Sequence, residues 1–308
     1  MRILVTGSSG WLGQHLVPRL KADGHAVTGL DPRPAAATDV VGSVADRALV
    51  RSLIGDRRID AIVHGGALHK PNIETHARED FLDVNVRGTF NLLEEAAAQR
   101  VSRVVVTSTT SLMVSRDIRE ARGAEAAWLT EDFNAQPRNI YGVTKLAAEH
   151  LCRLAHELHG LPVVVLRTAR FFPEEDDMAH AIAQSGPNTK ANEFLFRRMT
   201  VEDVVDAHVT ALARAPAIGF DTFIVCVTPP FARADCAALM RDAPSVVARY
   251  FPDYPAVYAK LGWTMFGKID RIYDSARAAA RLGFRARTDF RAVLDALKAG
   301  QMPGYLTT

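Results

Sequence analysis

The chain opens with the glycine-rich stretch MRILVTGSSGWLG at residues 1–13. An apolar, β-rich run ends at Gly7, and from residue 11 apolar residues recur at helical spacing until Gly24. The stretch therefore predicts a strand, a tight turn and a helix. Glycine in an ordered segment costs backbone entropy, so three glycines in one turn indicate that something must approach the backbone closely.

Strands and helices continue to alternate up to about residue 170. Strands are predicted in AVTGLD, DAIVHGGA, RVVVTSTT and PVVVLRTA, and helices in FLDVNVRGTFNLLEEAAAQR and NIYGVTKLAAEHLCRLAHELHG. Each strand is almost continuously apolar, which is typical of strands buried on both faces. Such strands alternating with helices predict an α/β fold with a doubly wound parallel sheet.

The pattern loosens beyond residue 170. FFPEEDD at 171–177 and QSGPNTKANE at 184–193 are expected to be polar loops, and VEDVVDAHVTALARA at 201–215 a helix. DTFIVCVTPP then offers a further strand. We therefore expect a domain over residues 1–170 and a smaller lobe, mainly for substrate binding, over 171–308, from which about residues 200–228 return to the sheet.

Composition excludes several classes of protein. With 308 residues and 48% hydrophobic content the chain can fill a large core. Its 37 basic and 35 acidic residues leave a charge of +2, and no basic run is interleaved with aromatics, so no nucleic-acid partner is expected. No apolar run approaches the roughly 18 residues needed to span a bilayer, and no signal peptide precedes the first strand. Three widely spaced cysteines favour a reducing compartment, and we expect a cytoplasmic protein.

The opening glycines match a dinucleotide-binding turn. Gly7 ends the strand, Gly10 lets the backbone approach a pyrophosphate, and Gly13 lets the helix pack against the strand. Trp11 and Leu12 begin the helix, whose N-terminal N–H groups and positive dipole end favour phosphate. The context of the turn therefore predicts a Rossmann-type domain.

The expected cofactor is NAD. Asp31 ends the second strand, at about the distance typical of a carboxylate that binds the adenosine ribose diol. A carboxylate there repels the 2′-phosphate of NADP. Arg33 leaves an alternative open, because an arginine two positions later is able to pair with that phosphate.

Tyr141 and Lys145 provide the catalytic signal. They stand four residues apart on a predicted helix and therefore on one face. A neighbouring ammonium and an oxidised nicotinamide both favour the phenolate, so we expect this tyrosine to exchange a proton with a substrate hydroxyl near neutral pH. TSTT at 107–110 ends a buried strand between the glycine turn and the tyrosine, at the edge where open α/β sheets bind ligands.

These motifs together resemble the extended short-chain dehydrogenase/reductase family, the NAD-dependent sugar epimerases and dehydratases. The resemblance extends over nearly the whole chain, through TGSSGWLG, HGGA, NVRGTFNLLEEA, VVVTSTTS, YGVTKLAAE, VVVLRTARFF and RRMTVEDVVDAHVTAL in family order. It implies that Tyr141 is the acid/base, Lys145 its partner and ribose ligand, and Thr109 the substrate-orienting hydroxyl. Ser108, Thr110 and Ser111 remain rivals of Thr109.

The resemblance also implies the remaining cofactor residues. Ser43 and Val44 are expected near adenine, and the rest along the cofactor: Gly65, Gly66, Ala67 and Asn85. A homodimer is implied through the helices around Asn85–Ala98 and Tyr141–Leu158. We expect Ala96, Ala97, Ala147 and Ala148 to allow those helices to pack closely.

The chain departs from the family near the substrate. Thr110 and Ser111 stand where dehydratases carry an Asp-Glu pair after the catalytic threonine, so dehydration is disfavoured. Arg170 stands where nucleotide-sugar members carry asparagine. We expect an anionic sugar or sugar derivative as substrate, bound by Arg170 with Arg197 or Arg198, unless Arg170 pairs internally with Glu174 or Glu175.

His69 and Thr110 are further candidate substrate contacts, and Lys70 and His76 lie in the same loop as His69. No metal site is expected, because no carboxylate or cysteine has ligand spacing with these histidines. The sequence predicts an NAD-dependent sugar or sugar-acid dehydrogenase or epimerase. The alternative is a regulator that senses the dinucleotide and has lost catalysis.

Overall fold

A seven-stranded parallel sheet organises the molecule, as the strand and helix pattern predicts. The computed structural model describes residues 1–173 and 184–307. The strands of this sheet are β1 (Arg2–Thr6), β2 (Ala26–Asp31), β3 (Val40–Val41), β4 (Ala61–His64), β5 (Arg103–Thr109), β7 (Val163–Thr168) and β8 (Phe220–Val225). They lie side by side in the order β3-β2-β1-β4-β5-β7-β8. Two further strands, β6 (Ala127–Leu129) and β9 (Arg271–Tyr273), pair with each other in a separate small sheet.

Helices cover both faces of the sheet. The helices are α1 (Trp11–Ala22), α2 (Arg47–Asp56), α3 (Arg78–Phe81), α4 (Gly88–Ala98), α5 (Arg116–Arg119), α6 (Ile140–His159), α7 (Gly186–Glu193), α8 (Val201–Ile218), α9 (Cys236–Tyr250), α10 (Tyr254–Leu261), α11 (Phe290–Lys298) and α12 (Gly304–Thr307). One face carries α1 and α8, and the other carries α2, α4 and α6. Each face has its own apolar core, and the strands are buried between the two. The doubly wound arrangement is therefore confirmed.

The segment that follows residue 200 rejoins the sheet. Helix α8 packs against β5 and β7, and β8 pairs in parallel with β7 at the sheet edge. The small β6–β9 sheet and α9 to α11 lie outside this sheet. Among the described residues, no helix has both the length and the apolar character required to cross a bilayer.

The polar stretch at 184–193 is a helix, and the expectation of a loop there was wrong. Ser185 caps helix α7 by accepting a hydrogen bond from the Asn188 N–H. The polar side chains of the helix are buried, and Asn188 and Asn192 donate to the Thr264 carbonyl. Polar residues satisfied by tertiary hydrogen bonds look like loop residues in a sequence. The expected loop at 171–177 lies partly outside the described residues.

The predicted helix around residues 81–100 contains a local change of winding. Between α3 and α4, residues Leu82–Arg87 form a π-helical turn, so the helical run is continuous from Arg78 to Ala98. π-Helical turns are frequent at functional sites. This one carries Asn85.

Candidate functional site

A cleft of about 1360 Å³ lies across the carboxyl ends of β1, β4, β5 and β7. Small-molecule sites commonly fall within about 300–1,000 Å³, so this cleft has room for a dinucleotide beside a smaller substrate. Its lining runs from the glycine turn to the catalytic helix α6 and the start of the C-terminal lobe. The position agrees with the rule that open parallel sheets bind ligands at their carboxyl edge.

The glycine turn brings bare backbone to the bottom of the cleft. Gly7 has φ +76°, and a Cβ on it would lie 2.7 Å from the Gly65 carbonyl carbon. A Cβ on Gly13 would lie 2.3 Å from the Gly7 oxygen, so the first turn of helix α1 has no room for a side chain at position 13. Gly10 caps α1, Trp11 and Leu12 follow it, and the first turn holds no acidic residue. The cradle therefore fits a pyrophosphate.

Asp31 lies at the opposite side of β1 from the catalytic helix. It is 5% exposed, and its two carboxylate oxygens accept hydrogen bonds from the backbone N–H groups of Ser9, at 3.2 Å, and Arg33, at 2.9 Å. The Arg33 side chain is 74% exposed, and its Nε lies 3.9 Å from the carboxylate. Backbone hydrogen bonds thus hold the carboxylate, whereas the Arg33 side chain lines the same part of the cleft and is largely exposed.

Most of the predicted cofactor residues line the cleft, and one lies behind it. The lining includes Ser43, Val44, Gly65, Gly66 and Ala67. Asn85 is buried and is not part of the lining. Its amide instead joins the wall of the cleft to helix α6, because it contacts both the backbone of Leu68 and the hydroxyl of Thr144.

The cleft brings Tyr141, Thr109 and Lys145 together. The Thr109 side chain lies close enough to the Tyr141 phenol to interact with it and lower its pKa. The Lys145 ammonium donates to the Thr107 carbonyl at 2.6 Å. Thr107 in turn donates its hydroxyl to the Nε2 of buried His208, because Nδ1 of that ring donates to the Val204 carbonyl. Sequence reasoning missed Thr107 and His208, which carry no motif of their own.

Burial changes the proton affinities of the Tyr141 phenol and the Lys145 ammonium. It raises the pKa of Tyr141 to about 12, and the interaction with Thr109 acts in the opposite direction. It lowers the pKa of Lys145 to about 8, which nearby Cys152 and Glu149 partly offset. In the ligand-free chain burial therefore favours the neutral phenol. The expectation of proton exchange near neutral pH concerns the complex with oxidised nicotinamide and stays a prediction. A positively charged nicotinamide beside the phenol would favour the phenolate.

Two of the rival hydroxyls bind other groups. Ser108 donates to the buried Glu149 carboxylate at 2.5 Å, and Thr110 donates to the Thr168 carbonyl. Ser111 lines the cleft, and its backbone N–H donates to the Thr109 hydroxyl oxygen, which fixes that side chain. Of these four residues, Thr109 is the one whose side chain influences the pKa of Tyr141.

The three predicted arginines surround the buried carboxylate of Glu193. Arg197 and Arg198 lie 3.0 and 2.6 Å from it, and Arg170 lies 3.8 Å from it. Arg170 and Arg197 line the cleft, but Arg198 does not: it is 3% exposed and also donates to the Phe172 carbonyl. Arg170 thus has an internal carboxylate near it, Glu193, that the sequence did not suggest. Glu174 and Glu175, the two carboxylates considered in the sequence, lie outside the described residues.

The loop after β4 contributes to the mouth of the cleft. His69 lies there with its ring stacked on Phe172 at 5.3 Å between centroids. His76 also borders the cleft, but it is exposed and shares a hydrogen bond with the Thr75 hydroxyl. Within residues 1–173 and 184–307, no group of histidines, cysteines and carboxylates has the geometry to hold a metal ion.

Three lining residues had no signal in the sequence. Arg138 immediately precedes Asn139, which caps helix α6. Arg271 and Tyr273 come from β9 in the C-terminal lobe, more than 120 positions after Tyr141. Only the tertiary fold brings Arg271 and Tyr273 to the cleft.

Known proteins share both the sequence pattern and the architecture. The model of the NAD dependent epimerase/dehydratase family matches residues 3–225. The low-salt glycan biosynthesis protein Agl12 of Haloferax volcanii is 32% identical over 188 residues, which are 56% of this chain and 57% of that protein. Uronate dehydrogenase of Pseudomonas putida is 27% identical over 58% of this chain and 63% of its own length. The chain thus spans less than two thirds of these relatives.

Another relative is an L-arabinose 1-dehydrogenase (NAD(P)(+)) of Haloferax volcanii, 33% identical over 54% of this chain and 65% of its own. Among solved structures, MoeE5 in complex with UDP-glucuronic acid and NAD superposes with a TM-score of 0.67 at 24% identity, covering 98% of each chain. At this identity the superposition establishes the fold.

Proposed function

Because this chain belongs to the NAD-dependent epimerase/dehydratase family, we propose that it is an oxidoreductase that moves hydride between a sugar-like hydroxyl and NAD. The observation that carries the proposal is the position of Tyr141, Thr109 and Lys145 together in the lining of one cleft, which also holds a phosphate cradle. A regulator without catalysis would have no use for this combination.

Thr109, Tyr141 and Lys145 each have a separate role in the proposed reaction. Thr109 donates to or accepts from the substrate hydroxyl and holds it beside the phenol. Tyr141 removes the hydroxyl proton as the carbon gives up hydride, and the bound nicotinamide supplies the hydride acceptor. Lys145 places a positive charge near the phenolate and a donor near the nicotinamide ribose. General-base catalysis of this kind contributes about 10²–10⁴-fold to the rate.

Asp31 supports a preference for NAD over NADP. Its carboxylate is held by two backbone N–H groups at the position of an adenosine ribose, where a 2′-phosphate would meet a fixed negative charge. Arg33 also lines the cleft, but its side chain is 74% exposed and its Nε lies 3.9 Å from the Asp31 carboxylate, which already offsets its charge.

An anionic sugar is the substrate class that the site supports best. Arg170 and Arg197 line the cleft, and a guanidinium can hold a planar anion through two parallel hydrogen bonds. The similarity to a uronate dehydrogenase points in the same direction.

Two outcomes of the hydride transfer distinguish a dehydrogenase from an epimerase. In a dehydrogenase the hydride leaves with NADH, and in an epimerase it returns to the other face of the sugar.

The decisive experiment is a substrate screen with wild-type protein and the Tyr141→Phe variant. Sugar acids, sugar phosphates, nucleotide sugars and neutral sugars are supplied with NAD or NADP, and both NADH release and the sugar products are measured. We expect NAD-dependent turnover that falls by about 10²-fold or more in Tyr141→Phe, with unchanged NAD affinity. Tyr250→Phe, outside the cleft, is the matched control. NAD binding without turnover of any sugar would favour the regulator instead.

We also propose a homodimer formed by helices α4 and α6. Ala96 and Ala148 do not support it, because both are buried in the chain's own core. The support comes from large apolar side chains that remain exposed on this side of the molecule. They are Leu82, Phe90, Val143, Leu154 and Leu158. Exposed apolar patches of this kind mark association surfaces.

A further inference from the structure

A buried histidine links three segments of the cleft wall. His64 ends β4, is 2% exposed, and is not part of the cleft lining. Its Nδ1 lies 2.7 Å from the Thr6 hydroxyl at the end of β1, and its Nε2 lies 3.0 Å from the Thr89 hydroxyl on α4. Neither the proposed proton transfer nor the phosphate cradle uses this ring.

The neighbouring hydrogen bonds determine which nitrogen carries the proton. The Thr89 hydroxyl donates to the Asn85 carbonyl at 2.6 Å, so its oxygen must accept from a protonated Nε2. The Thr6 oxygen accepts from the Gly66 N–H, and its own hydrogen is directed to an unprotonated Nδ1. Burial lowers the pKa of His64 to about 3, and the Lys145 charge acts in the same sense, which agrees with a neutral ring.

Hydrogen bonds link this single ring to both residues that anchor the loop at residues 65–68. The first anchor is the Thr6 hydroxyl, which binds the Gly66 N–H. The second is the Asn85 side chain, which binds the N–H and the carbonyl of Leu68. His64 contacts the Thr6 hydroxyl directly, and it reaches Asn85 through Thr89, whose hydroxyl binds the main-chain carbonyl of Asn85. All four loop residues line the cleft.

The loop lies at the nicotinamide end of the proposed cofactor. β4 neighbours β1 on the side away from β2, so the loop lies toward β5 and Tyr141, whereas Asp31 lies on the other side of β1. Asn85 also donates to the Thr144 hydroxyl, one residue before Lys145. The same network therefore joins the loop to the catalytic helix.

We propose that His64 is a positioning residue that holds the loop at residues 65–68, through Thr6 and through Thr89 with Asn85, in the place where it receives the nicotinamide half of the dinucleotide. The inference rests on the proposed function, since it concerns the same cleft. His64 touches no reacting atom and acts through these partners.

The test uses Thr89→Val, which has nearly the same shape but removes the hydroxyl between His64 and Asn85. Binding of NADH and of ADP is measured by fluorescence titration and calorimetry. We expect NADH binding to weaken about tenfold, because the buried Nε2 donor of His64 loses its acceptor and the link from His64 to Asn85 is cut. ADP spans only the adenosine end and the phosphates, so its binding should change less than about twofold.

Two controls separate positioning from general loss of structure. Thr89→Ser keeps the hydroxyl and should bind NADH like the wild type. Thr210→Val removes the same kind of hydroxyl bond, to the carbonyl four residues earlier, from α8 outside the cleft and should leave binding of both probes unchanged. Equal weakening of NADH and ADP in Thr89→Val, or weakening of neither, would overturn the proposal. If the wild type bound no NADH, the proposed function itself would fail.

A measurement on the wild type does not depend on any variant folding. ¹⁵N NMR of histidine-labelled protein should show His64 as a neutral ring with the hydrogen on Nε2. A hydrogen on Nδ1, or a positively charged ring, would contradict the hydrogen-bond directions on which the proposal depends.

Discussion

At the scale of single residues, Arg170 tests the anionic substrate. Its side chain is 22% exposed, lines the cleft and lies 3.8 Å from Glu193. Arg170→Lys keeps the charge but loses the planar pair of donors, so kcat/KM for the charged substrate should fall by about tenfold while NAD affinity is retained. The measurement is steady-state kinetics with a sugar acid and its neutral counterpart.

Arg198→Lys is the matched control for Arg170. It alters a guanidinium on the same carboxylate that lies outside the cleft lining, so it should lower thermal stability and leave the preference for charged over neutral sugars unchanged. A silent Arg170→Lys, or a neutral sugar as the best substrate of the wild type, would show that Arg170 has a structural role.

At the scale of elements, a buried ion pair fastens helix α6 to strand β7. Arg167 donates to Glu149 at 2.7 Å, both side chains are less than 10% exposed, and Ser108 donates to the same carboxylate. Glu149→Gln leaves the Arg167 charge unmatched, so the free energy of unfolding should fall by about 3 kcal/mol, measured by urea denaturation.

Replacing both partners should be far less harmful than removing one. Glu149→Met combined with Arg167→Met takes away two buried charges together and should recover most of the lost stability. Glu157→Gln, on an exposed position of the same helix, should change stability by less than about 0.5 kcal/mol. A Glu149→Gln variant as stable as the wild type would mean that packing alone holds α6 on the sheet.

At the scale of the whole molecule, the exposed apolar side chains of α4 and α6 predict association of two chains. Leu154 is 46% exposed and Leu158 is 65% exposed, four residues apart on one face of α6. We expect wild-type protein to be a dimer by light scattering at micromolar concentration, and Leu154→Glu with Leu158→Glu to be a folded monomer, because two buried charges would oppose the interface. Leu261→Glu, at an exposed position of α10, should remain dimeric. A wild-type monomer would refute the dimer.

Local sequence patterns determined much of the fold. Continuous apolar runs identified six of the seven strands of the main sheet, because strands buried on both faces need apolar residues throughout. Apolar residues at helical spacing identified α1, α4, α6 and α8, which cover that sheet. The glycine turn and the Tyr141–Lys145 pair were also readable, since each depends on spacing within one element or one turn. These features were sufficient to predict a doubly wound sheet and to nominate the proposed catalytic pair.

Contacts between distant residues decided the rest. Which hydroxyl of TSTTS meets Tyr141 depends on Glu149 and Thr168 binding Ser108 and Thr110, and no spacing along the strand encodes that choice. Helix α7 forms from a polar sequence because tertiary partners satisfy its side chains, as Thr264 does for Asn188. A sequence records which residues are polar, but whether a polar group faces water or a buried partner is settled only when the chain has folded.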